Sequence, residues 1–195
     1  LQNILWQKIY IHFYFLQTGY LPGLLRFHCI FQSLNQQNLQ HEDKQILYSY
    51  IGTQVDVANL KLIIRAKEDG LDYDAIAPYI LDEGYQLREW KLKDLMESPD
   101  VTNVISGLEG TKYAESLTDV MTVYNETGSV ALFEKALNAY ASDYAKSLAT
   151  KKPLGIGPII GYLIQKENEI KNLKIIARAK READFPNDKI MEMLL

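Results

Sequence analysis

From residue 42 onward the apolar positions recur in steps of three and four, and two-residue alternation is nowhere sustained. That period belongs to α-helices, so the expected fold class is all-α, built from helical bundle subdomains with short connections. Gln45–Asp69 reads as a long helix stopped by Gly70. Asp72 or Asp74 can cap a short helix through Tyr79, which Pro78 ends or bends. Leu87–Met96 follows Gly84, with Leu87, Leu92, Leu95 and Trp90 expected to share a broad apolar face. Ser98-Pro99-Asp100 opens Val101–Leu108, Gly110-Thr111 opens Lys112–Glu126, and Gly128-Ser129 opens Val130–Thr150. In that last helix Leu132/Phe133, Ala136/Leu137, Tyr140, Tyr144 and Leu148 form the expected buried stripe. The longest helix is Pro158–Glu182, and a short one, Asn187–Leu194, closes the chain.

An internal repeat reorganises this picture. Residues 56–67 read DVANLKLIIRAK and residues 169–180 read EIKNLKIIARAK. Asn59, Leu60, Lys61, Ile63, Arg65, Ala66 and Lys67 match Asn172, Leu173, Lys174, Ile176, Arg178, Ala179 and Lys180 at a shift of 113 positions. Asp56/Glu169, Val57/Ile170 and Leu62/Ile175 are conservative pairs. The shift is too long for a solenoid and points to duplicated helical subdomains. The limits that follow are 42–82, the end of one subdomain, and 83–195, a complete one. Asparagine is a poor residue inside a helix, so Asn59 and Asn172 are both expected to be buried and hydrogen-bonded to a neighbouring segment. The two motif helices are expected in similar surroundings.

Composition changes the picture only at the amino end. Of 21 basic and 25 acidic residues, 19 and all 25 lie in 42–195, so that part carries -6. Residues 1–41 hold no acid, and all three histidines and Cys29 fall there. Lys8, His12, Gln17, Pro22 and Arg26 interrupt every window long enough to span a membrane. No small-residue cleavage site follows the run Ile9–Leu16. His12, His28 and Cys29 fit no common zinc spacing. The segment reads as foreign to the domain after it, a misjoined start or an unusual extension. It is expected either to lie over the face of residues 45–65 or to stay loosely attached, in both cases with few polar contacts and lower order than 158–182. The overall charge of -4 argues against a chain-wide grip on nucleic acid.

Candidate chemistry is thin. Gly155-Ile156-Gly157-Pro158-Ile159-Ile160-Gly161 looks like a phosphate loop. Its last interval is one residue too long, no strand precedes it, and Pro158 lacks an N–H that phosphate would need. Gly155, Gly157 and Gly161 are better explained as glycines that let a helix start and cross closely against a neighbour. Beyond residue 41 there is neither His nor Cys, so no histidine-based triad can form there. Glu167, between Leu163 and Ile170 at helical spacing, is the one carboxylate on an apolar stripe, and a salt-bridged structural role suits it better than catalysis. No catalytic residue, metal or cofactor is expected.

Lys152–Lys180 carries Gly157-Pro158, Tyr162-Leu163, Lys166-Glu167, Glu169 and Asn172-Leu173-Lys174. This series resembles the C-terminal signature of the C subunit of archaeal-type and vacuolar-type rotary ATPases, known as the d subunit in eukaryotic vacuolar enzymes. The resemblance covers about residues 42–195. It implies three related helical subdomains, of which this chain looks like the C-terminal portion. It implies a non-catalytic rotor part between the central-shaft subunits and the membrane proteolipid ring, peripheral to the cytoplasmic face of the membrane. Two rival readings stand beside it: a free-standing helical adaptor, and a small helical enzyme using Glu167 or the histidines of 1–41.

Overall fold

A computed structural model describes residues 40–81, 84–151, 153–181 and 185–194. The expectations for residues 1–39, including those for His12, His28 and Cys29, lie outside the described residues. Every regular element among the described residues is helical: α1 (His41–Glu68), α2 (Tyr73–Ile76) with a 3-10 turn (Ala77–Tyr79), α3 (Glu89–Glu97), α4 (Val101–Gly107), α5 (Tyr113–Thr127), α6 (Ala131–Lys151), α7 (Gly157–Ala179) and α8 (Asn187–Met193). The chain divides into two compact units, Leu1–Leu137 and Asn138–Leu195. That division follows physical contact and falls inside α6, whereas the 82/83 limit follows sequence repetition.

The helix ends form where local chemistry provides for them. Asp72 Oδ1 accepts the Ala75 N–H at 3.1 Å and starts α2, and Asp100 Oδ1 accepts the Asn103 N–H at 2.8 Å and starts α4. At the end of α1 the Leu71 N–H returns to the Ala66 carbonyl and the Gly70 N–H to Lys67. That six-to-one pattern requires a left-handed residue, and Gly70 sits at φ 70°. Glu42 and Asp43 lie in the first turn of α1, and Arg65 and Lys67 in its last, as the helix dipole favours.

In the first unit α1 is the central element, with α2, α3 and α4 packed on it. Thirteen of its residues are buried, from Leu47 to Ala66, so it is enclosed over most of its circumference. Leu60, Ile63 and Ile64 are fully buried. Each stabilises the unit by about 1.5–3 kcal/mol through apolar burial. Leu92, Leu95, Val104, Leu108 and Leu117 complete the core. Trp90 departs from expectation. It is 65% exposed while Leu87, Leu92 and Leu95 are buried, because it falls on the outer side of α3, where Lys91 Nζ lies 5.7 Å from its ring centre.

In the second unit the later part of α6 meets α7. The buried line of α6 runs through Ala141, Ala145 and Leu148, not through Tyr140 and Tyr144. The two tyrosines stack along its flank instead, their rings 6.3 Å apart and 4° from parallel. Small residues at the seam permit close approach. A Cβ added to Gly161 would stand 2.7 Å from the Ala149 Cβ, and one added to Gly157 would stand 2.3 Å from the Leu148 carbonyl oxygen. Gly155 lies half-buried in the bend before α7. Asn168 Nδ2 donates to Ser142 Oγ at 2.9 Å across the seam. α8 packs back on α7, with Ile190 and Ala179 buried.

Candidate interaction site: the motif helices

The most polar part of the first unit's core is built on the first copy of the repeat. Asp56 and Asn59 are fully buried, one turn apart on α1. Leu81 and the 84–87 segment lie against them without helical structure, so their backbone N–H groups need acceptors. Asp56 provides them. The Gln86 N–H donates to its Oδ2 at 2.7 Å, and the Leu87 N–H donates to its Oδ1 at 3.3 Å. The Tyr113 hydroxyl, from the start of α5, adds a third bond to Oδ2 at 2.8 Å. Burial pushes the Asp56 carboxyl above its ordinary pKa, and these donors pull it partly back. Asn59 uses both ends of its amide on one residue: Nδ2 donates to the Leu81 carbonyl and Oδ1 accepts the Leu81 N–H, each at 2.8 Å.

Two glycines make room for this arrangement. A Cβ on Gly84 would stand 2.0 Å from Asp56 Oδ1, and one on Gly52 would stand 2.8 Å from the Tyr85 backbone nitrogen. Six residues after Asn59, Arg65 holds Glu134 through two parallel bonds, of which Nη2 to Oε2 is 2.9 Å. Glu134 is buried while the Arg65 side chain stays half in solvent. Two parallel bonds of this kind fix geometry as well as charge. The first copy therefore joins α1 to Leu81, to the 84–87 segment, to α5 and to the start of α6.

The second copy stands differently. Val57 is 3% exposed and its counterpart Ile170 is 52% exposed; Leu60 is 0% exposed and Leu173 is 59% exposed. Asn172 is half-buried, and Lys174 and Arg178 are exposed. Glu169 lies beside Lys166 at 2.7 Å. The expected similarity of surroundings is thus not found, because no described segment encloses α7 as Leu81, residues 84–87, α3 and α5 enclose α1. What the copies share is the end of the motif. Ala66 and Ala179 are both buried, and the short helix after each buries one isoleucine, Ile76 or Ile190.

The other candidates resolve simply. Glu167 is half-buried and pairs with Lys171 one turn on, at 3.3 Å, while Leu163 and Ile170 beside it are exposed. Among the described residues no group of three or more His, Cys, Asp or Glu side chains could hold a metal ion. No described helix is long and apolar enough to cross a membrane. The repeat marked Asp56 and Asn59 in the sequence but not Tyr113, Gly52 or Glu134. The only local signal for Glu134 was a carboxylate beside Phe133 and Leu137 on the apolar stripe of α6.

Known proteins are similar to this chain in sequence. A family model, the ATP synthase (C/AC39) subunit, matches residues 15–193 and so takes in part of the segment read as foreign. The chain is 79% identical over 154 residues to the C subunit of the A-type ATP synthase of Methanobrevibacter smithii, covering 79% of this chain and 40% of that protein. It is 56% identical over 153 residues to the subunit of the same name from Methanothermobacter thermautotrophicus, and 51% identical over 154 residues to that of Methanosphaera stadtmanae. Those matches cover 78% and 79% of this chain and 40% of each relative. The chain spans about 40% of the length of the curated relatives it matches. No solved structure gives a significant match. On the family model and these identities, the chain belongs to the ATP synthase (C/AC39) subunit family.

Proposed function

We propose that the chain acts as a non-catalytic piece of the central stalk of an A-type or vacuolar-type rotary ATPase, joining the central shaft to the membrane proteolipid ring. In that role it is peripheral, held at the cytoplasmic face of the membrane through the ring. It carries torque between ion movement and ATP synthesis or hydrolysis. The observation that carries this reading is the 79% identity to a protein named as the C subunit of an A-type ATP synthase. The first unit suits such a task. A part that carries torque must resist internal slippage. The bonds of Asp56, Asn59 and Arg65 to segments 22 to 69 residues away tie the helices together by directional contacts.

The test is purification of the assembled ATPase from membranes with an affinity tag on this chain. Shaft subunits and proteolipid ring should be recovered together with it. Point substitutions that loosen the first unit should lower ATP-driven ion pumping while leaving hydrolysis by the detached catalytic head unchanged. Recovery of the chain alone, or pumping indifferent to its loss, would replace this reading with that of a free-standing helical adaptor.

A further inference from the structure

Asp56 is a buried acid held by hydrogen bonds and by no cation. Burial raises its pKa, and bonds from Gln86, Tyr113, Leu87 and Tyr85 oppose the rise; no charged side chain does. The surroundings explain this. One turn away on α1 stand Gly52, Thr53, Asn59 and Leu60, none of which titrates. α2 buries Ile76, α3 buries Leu92 and Leu95, and α4 buries Val104 and Ile105. Every Asp and Glu of α2, α3 and α5 is exposed, and α4 has none. The lysines of α3 go elsewhere, Lys91 to the Trp90 ring and Lys93 to Glu97. Among the described residues Tyr113 is the one titratable side chain bonded to Asp56.

The partners of Asp56 differ in what they can do. A backbone N–H only donates, so Gln86 and Leu87 serve the carboxylate but cannot receive a proton from a carboxylic acid. A tyrosine hydroxyl both donates and accepts, and its hydrogen rotates to suit. The Tyr113 hydroxyl stands 2.8 Å from Oδ2. Oδ1 is closed over by Gly84, where an added Cβ would stand 2.0 Å away. A proton on Asp56 therefore has one place with an acceptor, Oδ2, and one acceptor, the Tyr113 oxygen. A buried O–H without an acceptor would be costly.

We propose that Asp56 and Tyr113 form a buried proton-uptake pair that keeps the 84–87 segment seated on α1 whether the carboxyl is charged or neutral. The proton comes from solvent and settles on Oδ2. The Tyr113 hydroxyl hydrogen rotates off Oδ2, and the new carboxyl O–H donates to the Tyr113 oxygen. The contact keeps its place and reverses its direction. The Leu87 N–H stays on Oδ1, and the Gln86 N–H stays on the remaining lone pair of Oδ2. The pair is independent of the proposed place of the chain in a rotary ATPase.

The experiment is NMR of the 195-residue chain from about pH 7 to about pH 4. The carboxyl carbon of Asp56 should titrate with a midpoint above 3.8 while the chain stays folded. Across that titration the Gln86 and Leu87 amides should keep their protection from hydrogen exchange, after correction for the intrinsic effect of pH. In Tyr113→Phe they should lose protection about tenfold on acidification, as loss of one hydrogen bond gives. That loss is read against the variant's own value at neutral pH, so the constant cost of removing the hydroxyl cancels. Should the variant not fold, the Tyr113 Cζ resonance of the wild type takes its place and should shift with the Asp56 midpoint. Protection that falls in the wild type as Asp56 gains its proton overturns the proposal, because the joint then needs the charge. Protection that holds in Tyr113→Phe, or a Cζ resonance indifferent to the titration, overturns it by removing Tyr113 as the acceptor. A carboxyl that stays ionised until the chain unfolds overturns it outright.

Discussion

α1 and α7 carry the same motif, yet the same residues have opposite situations. Leucine, asparagine and an acid lie at matching positions of both helices, and on α1 all three are buried, the asparagine bonded to Leu81 and the acid to the 84–87 segment and α5. On α7 the leucine and the acid face solvent, and the asparagine is half-buried. The comparison teaches that the motif does not itself make a core. It is a set of attachment points whose value depends on what is attached. An aspartate in mid-helix is a weak choice for an isolated helix. It becomes stabilising once three donors from other segments reach it.

Substitution of paired positions tests that difference, beginning with the largest effect. Leu60→Ala should destabilise the chain by about 2–5 kcal/mol through lost burial and a residual cavity. Leu173→Ala should change stability by no more than about 0.5 kcal/mol. Urea unfolding followed by circular dichroism reads both, and equal losses would erase the contrast.

The carboxylates come next. Asp56→Ala leaves two backbone N–H groups and the Tyr113 hydroxyl without their acceptor, at a cost of about 2–4 kcal/mol at neutral pH. Glu169→Ala should cost little. The pH dependence has a definite sign. Because the native Asp56 pKa is raised above 3.8, the proton-linked part of its contribution is fully present below that value and is lost as pH rises through the native pKa, on top of its role as acceptor. The gap between wild type and Asp56→Ala should therefore widen as the pH is lowered from about 7 toward about 4. A gap that narrows would mean that the donors outweigh the burial.

Smaller effects should follow at the arginines and at Tyr124. Arg65→Ala leaves Glu134 buried without its partner and should cost about 1–2 kcal/mol, reduced by the solvent that already reaches Arg65. Arg178→Ala in the same chain should be close to neutral, and thermal melts would distinguish the two. The Tyr124 hydroxyl donates to Glu68 at 2.8 Å. Its pKa is raised to about 12 by burial and by that carboxylate. Tyr124→Phe should cost about 0.5 kcal/mol below about pH 10. The stabilisation by Tyr124 should disappear between pH 10.0 and about 12, and one phenolate should appear in the ultraviolet difference spectrum over the upper part of that range. An ordinary tyrosine titration would show that Glu68 does not hold it.

The helices were readable because their ends are local events. Asp72 and Asp100 act within three residues, and Gly70, Gly110 and Gly128 take the left-handed backbone that stops or turns the chain. What was not readable is which side of a helix meets which neighbour. In α6 the tyrosines at 140 and 144 outweigh Ala141 and Ala145 in hydrophobic area, yet the small residues are the buried ones, and farther along the same helix Leu148 and Ala149 meet the glycines at 157 and 161 too closely to admit even a Cβ. Trp90 misled for the same reason, since size alone does not say which face is covered. Tyr113 and Glu134 reach their partners across 57 and 69 residues, a span at which periodicity carries no information. The repeat made Asp56 and Asn59 noticeable, but it could not reveal that only one copy is enclosed.

The bonds at Asp56 have a consequence for hydrogen exchange. Gln86 and Leu87 belong to no helix, and amides in such segments ordinarily exchange with deuterium quickly. Here both donate to a carboxylate that solvent does not reach. Their protons can leave only when the segment lifts away from α1. These two amides should therefore exchange as slowly as those in the middle of α1. Their exchange rate then measures, residue by residue and without any label, how often the attachment opens.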